Sequence, residues 1–268
     1  MIYPFVFILG LIFGSFLNVL ADRLSKRKTI LGRSKCDSCN HELAWNDLIP
    51  IVSYMMLGGK CRYCKASFSI QYPLVELFTA GVFVMTWYVS TEQLLLPRSS
   101  VLIHIFHMAI AAVLIVMLLA DLRYQIIPDE MQIALLLIGF LKIMYVGVVF
   151  GQSDILQLMQ MVGQHIILGV AVMAPLLAVF LLTKGRGMGF GDVKLTFVIG
   201  VILGMVSGYL ALYIGFVSGG IIGALLLVTK RGKRKTKIAF GPFLILGFYV
   251  MLFFEPEIIL FMSRIYGF

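Results

Sequence analysis

Charge is scarce in this chain. Of its 268 residues, 13% are Asp, Glu, Lys or Arg, where a soluble domain carries about 25%. That shortage excludes an ordinary water-solvated globule. Histidine is scarcer still, with four residues: His41, His104, His107 and His165. None forms a Ser–His or Cys–His motif, so nucleophilic triads drop out and structural or loop roles are expected for all four. Cysteine is confined to four positions within residues 36–64. Basic residues outnumber acidic ones by 22 to 13. No basic stripe with interleaved aromatics accompanies them, so no nucleic-acid partner is expected.

What fills the chain is apolar: 60% of residues are hydrophobic and the mean hydropathy is +1.00. The expected fold is an all-α polytopic membrane protein with about eight transmembrane helices of about 20 residues each. The spans read as 2–21, 73–89, 101–120, 131–150, 158–182, 195–208, 209–228 and 243–262. The first is too long, and too marked by Gly and Asn, for a cleaved signal peptide and is expected to be retained. Nine Lys/Arg fall in 23–72, one at Arg123, three at Lys184, Arg186 and Lys194, and six in 230–237. With eight spans all of these lie on one side, leaving Arg98, Lys142 and Arg264 on or near the other. The positive-inside rule then puts the N-terminus outside and 23–72 in the cytoplasm. The basic cluster 230–235 is expected to rest on anionic membrane lipid. The chain divides into a first transmembrane helix (1–22), a cytoplasmic cysteine-rich loop (23–72) and a helical membrane core (73–268).

The loop holds two Cys-x-x-Cys pairs, Cys36/Cys39 and Cys61/Cys64, with 21 residues between them. This spacing suits a zinc-ribbon-like, four-thiolate tetrahedral site. So short a loop buries little core, and a metal would supply its folding energy. Four cysteines close the coordination shell, so structural rather than catalytic zinc is expected. Disulfides are disfavoured on a reducing cytoplasmic side.

Two carboxylates stand where apolar runs meet loops. Asp121 closes the run 110–120, and Asp192 follows Gly187, Gly189 and Gly191. An aspartate at a helix centre in a membrane costs about 2.5–3.5 kcal/mol on insertion scales, a cost that points to use. Glycines at alternate positions permit unusual dihedrals or close approach. Two carboxylates held close cannot both ionise, so they share a proton. The ionised partner can take a proton from water while the protonated one polarises a peptide carbonyl, which is aspartyl protease chemistry. Asp129 is expected to cap the following span, and the loop acids Asp37, Glu42 and Asp47 to be solvated. Asp121 and Asp192 would also serve a proton-coupled membrane carrier, but the matched broken helices of a carrier repeat are missing.

In order along the chain come Gly14-Ser15-Phe16-Leu17-Asn18-Val19 with Arg23-Leu24, the two cysteine pairs, and Tyr72-Pro73-Leu74-Val75-Glu76. Then follow Asp121 with Pro128-Asp129, Gly187-Met188-Gly189-Phe190-Gly191-Asp192, and Phe240-Gly241-Pro242-Phe243. This series resembles the bacterial type IV prepilin peptidases (prepilin leader peptidase/N-methyltransferases), a branch of the Gly-x-Gly-Asp intramembrane aspartyl proteases. The resemblance implies a multi-pass enzyme of the bacterial inner membrane. It would remove the basic leader of type IV prepilin or pseudopilin precursors at the cytoplasmic face. It would then N-methylate the new terminus from S-adenosylmethionine. On the resemblance, Asp121 and Asp192 match the catalytic pair, and Cys36, Cys39, Cys61 and Cys64 the zinc-type module. No soluble methyltransferase fold is visible, so the methyl site would be built by the loop and the ends of the first two spans, with Glu76 a candidate contributor. A peptidase without methyl transfer is the nearest alternative. Two departures from the family pattern are Ser25 in place of proline and a longer stretch near 151–154.

Overall fold

The computed structural model describes residues 2–93, 101–149, 154–229 and 239–266. The basic cluster 230–235, Arg98 and most of the stretch near 151–154 lie outside the described residues. Among those described there is no strand. Among the described residues, seven helices are long and apolar enough to cross a membrane. The chain divides into two compact units, the first ending at Ala120 and the second beginning at Asp121.

In the first unit, α1 (Ile2–Ser25) packs along α3 (Gln71–Gln93). The seam on α1 is Val6, Gly10, Gly14, Leu17 and Ala21, all buried. Lipid tails are as apolar as side chains, so membrane helices associate through close van der Waals contact, and small residues permit it. A Cβ on Gly10 would lie 2.6 Å from Ala80 Cα, and one on Gly14 2.7 Å from Glu76 Cα. Between these helices the loop forms a single 3₁₀ turn at Trp45–Asp47 and the short α2 (Val52–Met56). The unit also takes in α4 (Val101–Tyr124) up to Ala120. Ser90 Oγ and His107 Nδ1 are 2.7 Å apart, and Thr91 Oγ1 and His104 Nε2 3.2 Å. Ser90 and both histidines are buried, so these pairs tie α3 to α4 and are not nucleophile–base pairs open to a substrate.

The second unit holds the last turn of α4 and then α5 (Asp129–Val149), α6 (Ile155–Leu182), α7 (Phe190–Leu203), α8 (Met205–Val228) and α9 (Gly241–Tyr266). The expected sixth span, 195–208, needs correction. Its helix starts at Phe190 and stops after 14 residues, and Ser207 and Gly208 lie inside α8. The break is Gly204, whose φ of 81° is left-handed backbone that favours glycine. Fourteen residues span about 21 Å, short of the roughly 30 Å hydrocarbon layer. Around the break, polar groups are matched: His165 Nδ1 lies 2.7 Å from Val201 O, Tyr209 donates to Ala171 O at 2.7 Å, and Ser207 to Glu255. Gly169 and Gly200 let α6 and α7 touch, since a Cβ on Gly200 would sit 2.8 Å from Gly169 Cα. Pro256 accompanies a kink in α9 at Phe254.

The α1–α3 seam yields a direct expectation. Gly14→Leu should unseat the two helices at a cost of about 1–3 kcal/mol, as overpacking does. The measurement is the thermal unfolding midpoint in detergent; an unmoved midpoint would show that this contact does not hold the unit.

Candidate active site and candidate metal centre

In the loop the two cysteine pairs fold alike. Cys36 N–H donates to His41 O at 3.0 Å, and Cys61 N–H to Ala66 O at 2.8 Å. Each knuckle turns through one left-handed residue, Asn40 (φ 56°) and Lys65 (φ 60°). A one-residue antiparallel bridge closes each, Lys35 with Glu42 and Lys60 with Ser67. The four Sγ atoms lie within 4.8 Å of one another, and Cys36 Sγ is 3.8 Å from Cys64 Sγ. Tetrahedral zinc with Zn–S bonds of about 2.3 Å needs S···S edges of about 3.8 Å. The donor set therefore fits a four-thiolate metal ion. Backbone N–H groups of Cys39 and Ser38 favour the Cys36 thiolate and lower that thiol to about 7.

Of the three loop acids Asp37 is exposed, as expected, while the other two are not simply solvated. The Asp47 side chain is 3% exposed. It takes Arg62 Nε at 2.7 Å, Tyr63 Oη at 3.3 Å and Ala44 N–H at 3.2 Å. Glu42 lies within ion-pair distance of Arg33 and Lys35. Both acids brace the knuckles. Glu76 of α3 is buried and accepts the Ile51 N–H at 2.8 Å. Ile51 is itself an outlier. Its φ of 60° and ψ of −50°, with Val52 N–H on Pro50 O at 2.5 Å, make a strained three-residue turn. Glu76 and Ser15 line a cavity of about 380 Å³ that Asp22, Tyr54 and Tyr72 also face.

In the second unit, the end of α4 is set by Gln125, left-handed at φ 54°, which bonds back to Asp121 O at 2.9 Å. Asp121 sits in that last turn, 5% exposed. Its Oδ2 is buried with no hydrogen-bond partner among the described residues. The N–H of Gly241, first residue of α9, faces the same carboxylate. A Cβ on Gly241 would strike Asp121 Oδ2. Asp192 lies in the first turn of α7, half-buried, and its carboxylate reaches back to the Gly189 N–H as in a capping box. The Asp121 and Asp192 carboxylates lie close enough to interact electrostatically. Ile127 stands between the motifs: its Cδ1 would be 3.0 Å from a Cβ on Gly241 and 3.9 Å from one on Gly191.

One expectation changes and another narrows to close approach. Asp129 is the first residue of α5 rather than its cap, and it pairs with Lys194 Nζ at 2.8 Å. Gly187, Gly189 and Gly191 are not left-handed; in that stretch Lys184 and Gly185 are. Gly241 and Gln132 were given no role from sequence, yet both touch the aspartate motifs. Gln132 Nε2 is 3.4 Å from Gly191 O. The signal available was position: Gln132 follows Asp129 by three residues, on the same helix face.

Residues 8–90 match the Bacterial Peptidase A24 N-terminal domain, and residues 108–224 the Type IV leader peptidase family. Three similar proteins each carry the name prepilin leader peptidase/N-methyltransferase. That of Xanthomonas campestris is 30% identical, over 94% of this chain and 91% of that protein. That of Bacillus subtilis is 29% identical over 96% of each. That of Pseudomonas aeruginosa is 29% identical, over 94% of this chain and 90% of that protein. No solved structure matches the chain.

The four-thiolate cluster predicts one tightly held metal ion per chain in the purified protein. Cys36→Ser combined with Cys61→Ser should hold none, as read by elemental analysis; equal metal in both would remove the site.

Proposed function

The chain belongs to the type IV leader peptidase family, and from that premise we propose that it is a membrane aspartyl endopeptidase of prepilin-like precursors that also N-methylates the new terminus. The observation that carries the reading is the meeting of Asp121, Asp192 and the Gly241 N–H around Ile127 in an apolar interior. In the proposed mechanism Asp121 and Asp192 are the catalytic pair and share one proton. The ionised carboxylate takes a proton from water as the water oxygen attacks the scissile carbonyl carbon. The protonated carboxyl donates to the carbonyl oxygen. Collapse of the gem-diol breaks the C–N bond, and a proton passes to the leaving amine.

The substrate would be a pilin-like precursor whose basic leader stays cytoplasmic while its apolar helix stays in the bilayer. On charge, the N-terminus of the enzyme lies outside and the cysteine loop in the cytoplasm of a bacterial inner membrane. The proposed division of labour keeps 1–22 as an anchor helix, 23–72 as a zinc-bearing loop with a methyl-transfer role, and 73–268 as the protease core. Structural zinc is assigned to Cys36, Cys39, Cys61 and Cys64. For S-adenosylmethionine, the cavity beside Glu76 falls in the size class of small-molecule sites, about 300–1,000 Å³. Glu76, Asp22 and Ser15 line it together with Arg23, Lys26 and Lys35, a mixed acidic and basic set that suits the ammonium and carboxylate of a zwitterion. Bound there, S-adenosylmethionine supplies an electrophilic methyl group; the chain's own part is to hold it and the amine.

Asp121→Asn and Asp192→Asn should each lower cleavage of a solubilised precursor by at least about 10²–10⁴-fold, read by mass spectrometry at equal protein levels. Retained cleavage in either would remove the pair. Gly241→Ala should displace the Asp121 carboxyl and reduce kcat/KM while the unfolding midpoint holds. The pH dependence follows from the proposed shared proton. As pH rises that proton is lost, so kcat/KM should fall along an alkaline limb. A profile flat between about pH 5 and pH 8 would contradict a shared proton.

A further inference from the structure

Beside the aspartate motif, within the second unit, a groove of about 350 Å³ opens among α5, α6 and α7. Its walls are Ile133, Leu136, Met173, Phe197 and Val198, and the Asp129–Lys194 pair also lines it. One uncharged polar side chain, Gln132, lines it as well. Gln132 is 4% exposed. Its Nε2 is committed to Gly191 O, the carbonyl next to Asp192, at 3.4 Å. Its Oε1 is buried with no hydrogen-bond partner among the described residues. Flipping the amide would only set Oε1 against the Gly191 carbonyl, acceptor against acceptor. The free group is therefore an acceptor.

A buried amide oxygen without a donor costs about 1–3 kcal/mol. An occupant carrying an N–H would relieve it. The proteolytic reading supplies such an occupant. A peptide bond inside a helix is shielded, so a helical substrate must unwind before attack. Unwinding frees backbone N–H groups in a place where water is scarce, and each needs an acceptor.

We propose that Gln132 is a substrate-positioning residue: Oε1 accepts a backbone N–H of the unwound substrate beside the scissile bond, and the groove holds the apolar side chain of that segment. The inference rests on the peptidase reading. Because the other half of the Gln132 amide holds Gly191, occupancy of Oε1 is linked to the backbone that carries Asp192. The occupant is an extended apolar peptide.

The test uses full-length enzyme in detergent and synthetic precursor peptides. Each carries one backbone ester, which removes one N–H, on either side of the scissile bond but not at it. In the wild type one position should stand out, losing about three- to tenfold in kcat/KM, the scale of one hydrogen bond. Gln132→Met should lose a similar factor on the parent peptide, mainly in KM, and show no further loss with that ester. Leu136→Phe, on the groove wall, should raise KM for peptides with a large apolar residue there and spare alanine peptides. A flat ester scan in the wild type, or additive losses in Gln132→Met, would overturn the proposal. The wild-type scan decides even where Gln132→Met fails to fold. A wild type that does not cleave the parent peptide removes the peptidase reading, and this inference with it.

Discussion

One carboxyl held out of water sets the terms for the second unit. Asp121 is buried in an apolar setting, where its charge is costly. Among the described residues, the group turned to it is a neutral backbone donor, the Gly241 N–H. Two helix starts converge on the aspartates: α9 presents the Gly241 N–H to Asp121, and α7 begins at Asp192 with the Gly189 N–H turned to it. The positive end of a helix dipole stabilises negative charge at such a place. Neutral donors hold one charge well and two charges poorly, so the arrangement favours a pair with a single proton. A lysine or arginine in the same position would have held both carboxylates ionised and left no acid for the leaving group.

That convergence depends on backbones coming closer than most side chains allow. In water, burial of leucine faces would drive helices together; in lipid that drive is lost, and contact area takes its place. Glycine appears at each crowded crossing. Gly169 and Gly200 bring α6 to α7, Gly215 lies against the Phe243 backbone, and Gly247 against Ala211 O. Within the first unit Gly10 and Gly14 do the same for α1 and α3. The glycine content is therefore mainly a packing property. Only a few positions, Gly204 and Gly185 among them, use left-handed freedom.

The helices were legible because a run of apolar residues has few alternatives in a membrane. The aspartates were legible because charge is so scarce that each intramembrane acid stands out. The cysteine spacing implied a cluster that the fold then assembles. What stayed hidden were features that hydropathy does not encode. The stretch 195–228 is uniformly apolar, so the break at Gly204 gave no hydropathy signal, and the boundary was placed four residues late. Asp129 resembled a cap because its partner, Lys194, lies 65 residues away. Gln132 is a polar residue among apolar ones, but only the meeting of α5 and α7 gives it a carbonyl to hold.

The short α7 explains why the turn at Gly204 must be well made. A helix that stops inside an apolar layer leaves its last carbonyls without intrahelical partners. Here His165 meets Val201 O, and the Gly204 N–H closes on Gly200 O at 2.9 Å. For His165 to donate to that carbonyl, Nδ1 must carry a proton. Ser207 with Glu255 and Tyr209 with Ala171 O fix the first turn of α8 against its neighbours. Each contact removes a way for α7 to slide along its axis. A slide of one residue would move Asp192 by about 1.5 Å relative to the Asp121 carboxylate with which it interacts. The polar turn at one end of α7 and the carboxylate at the other are thus parts of one requirement, a rigid post of fixed length.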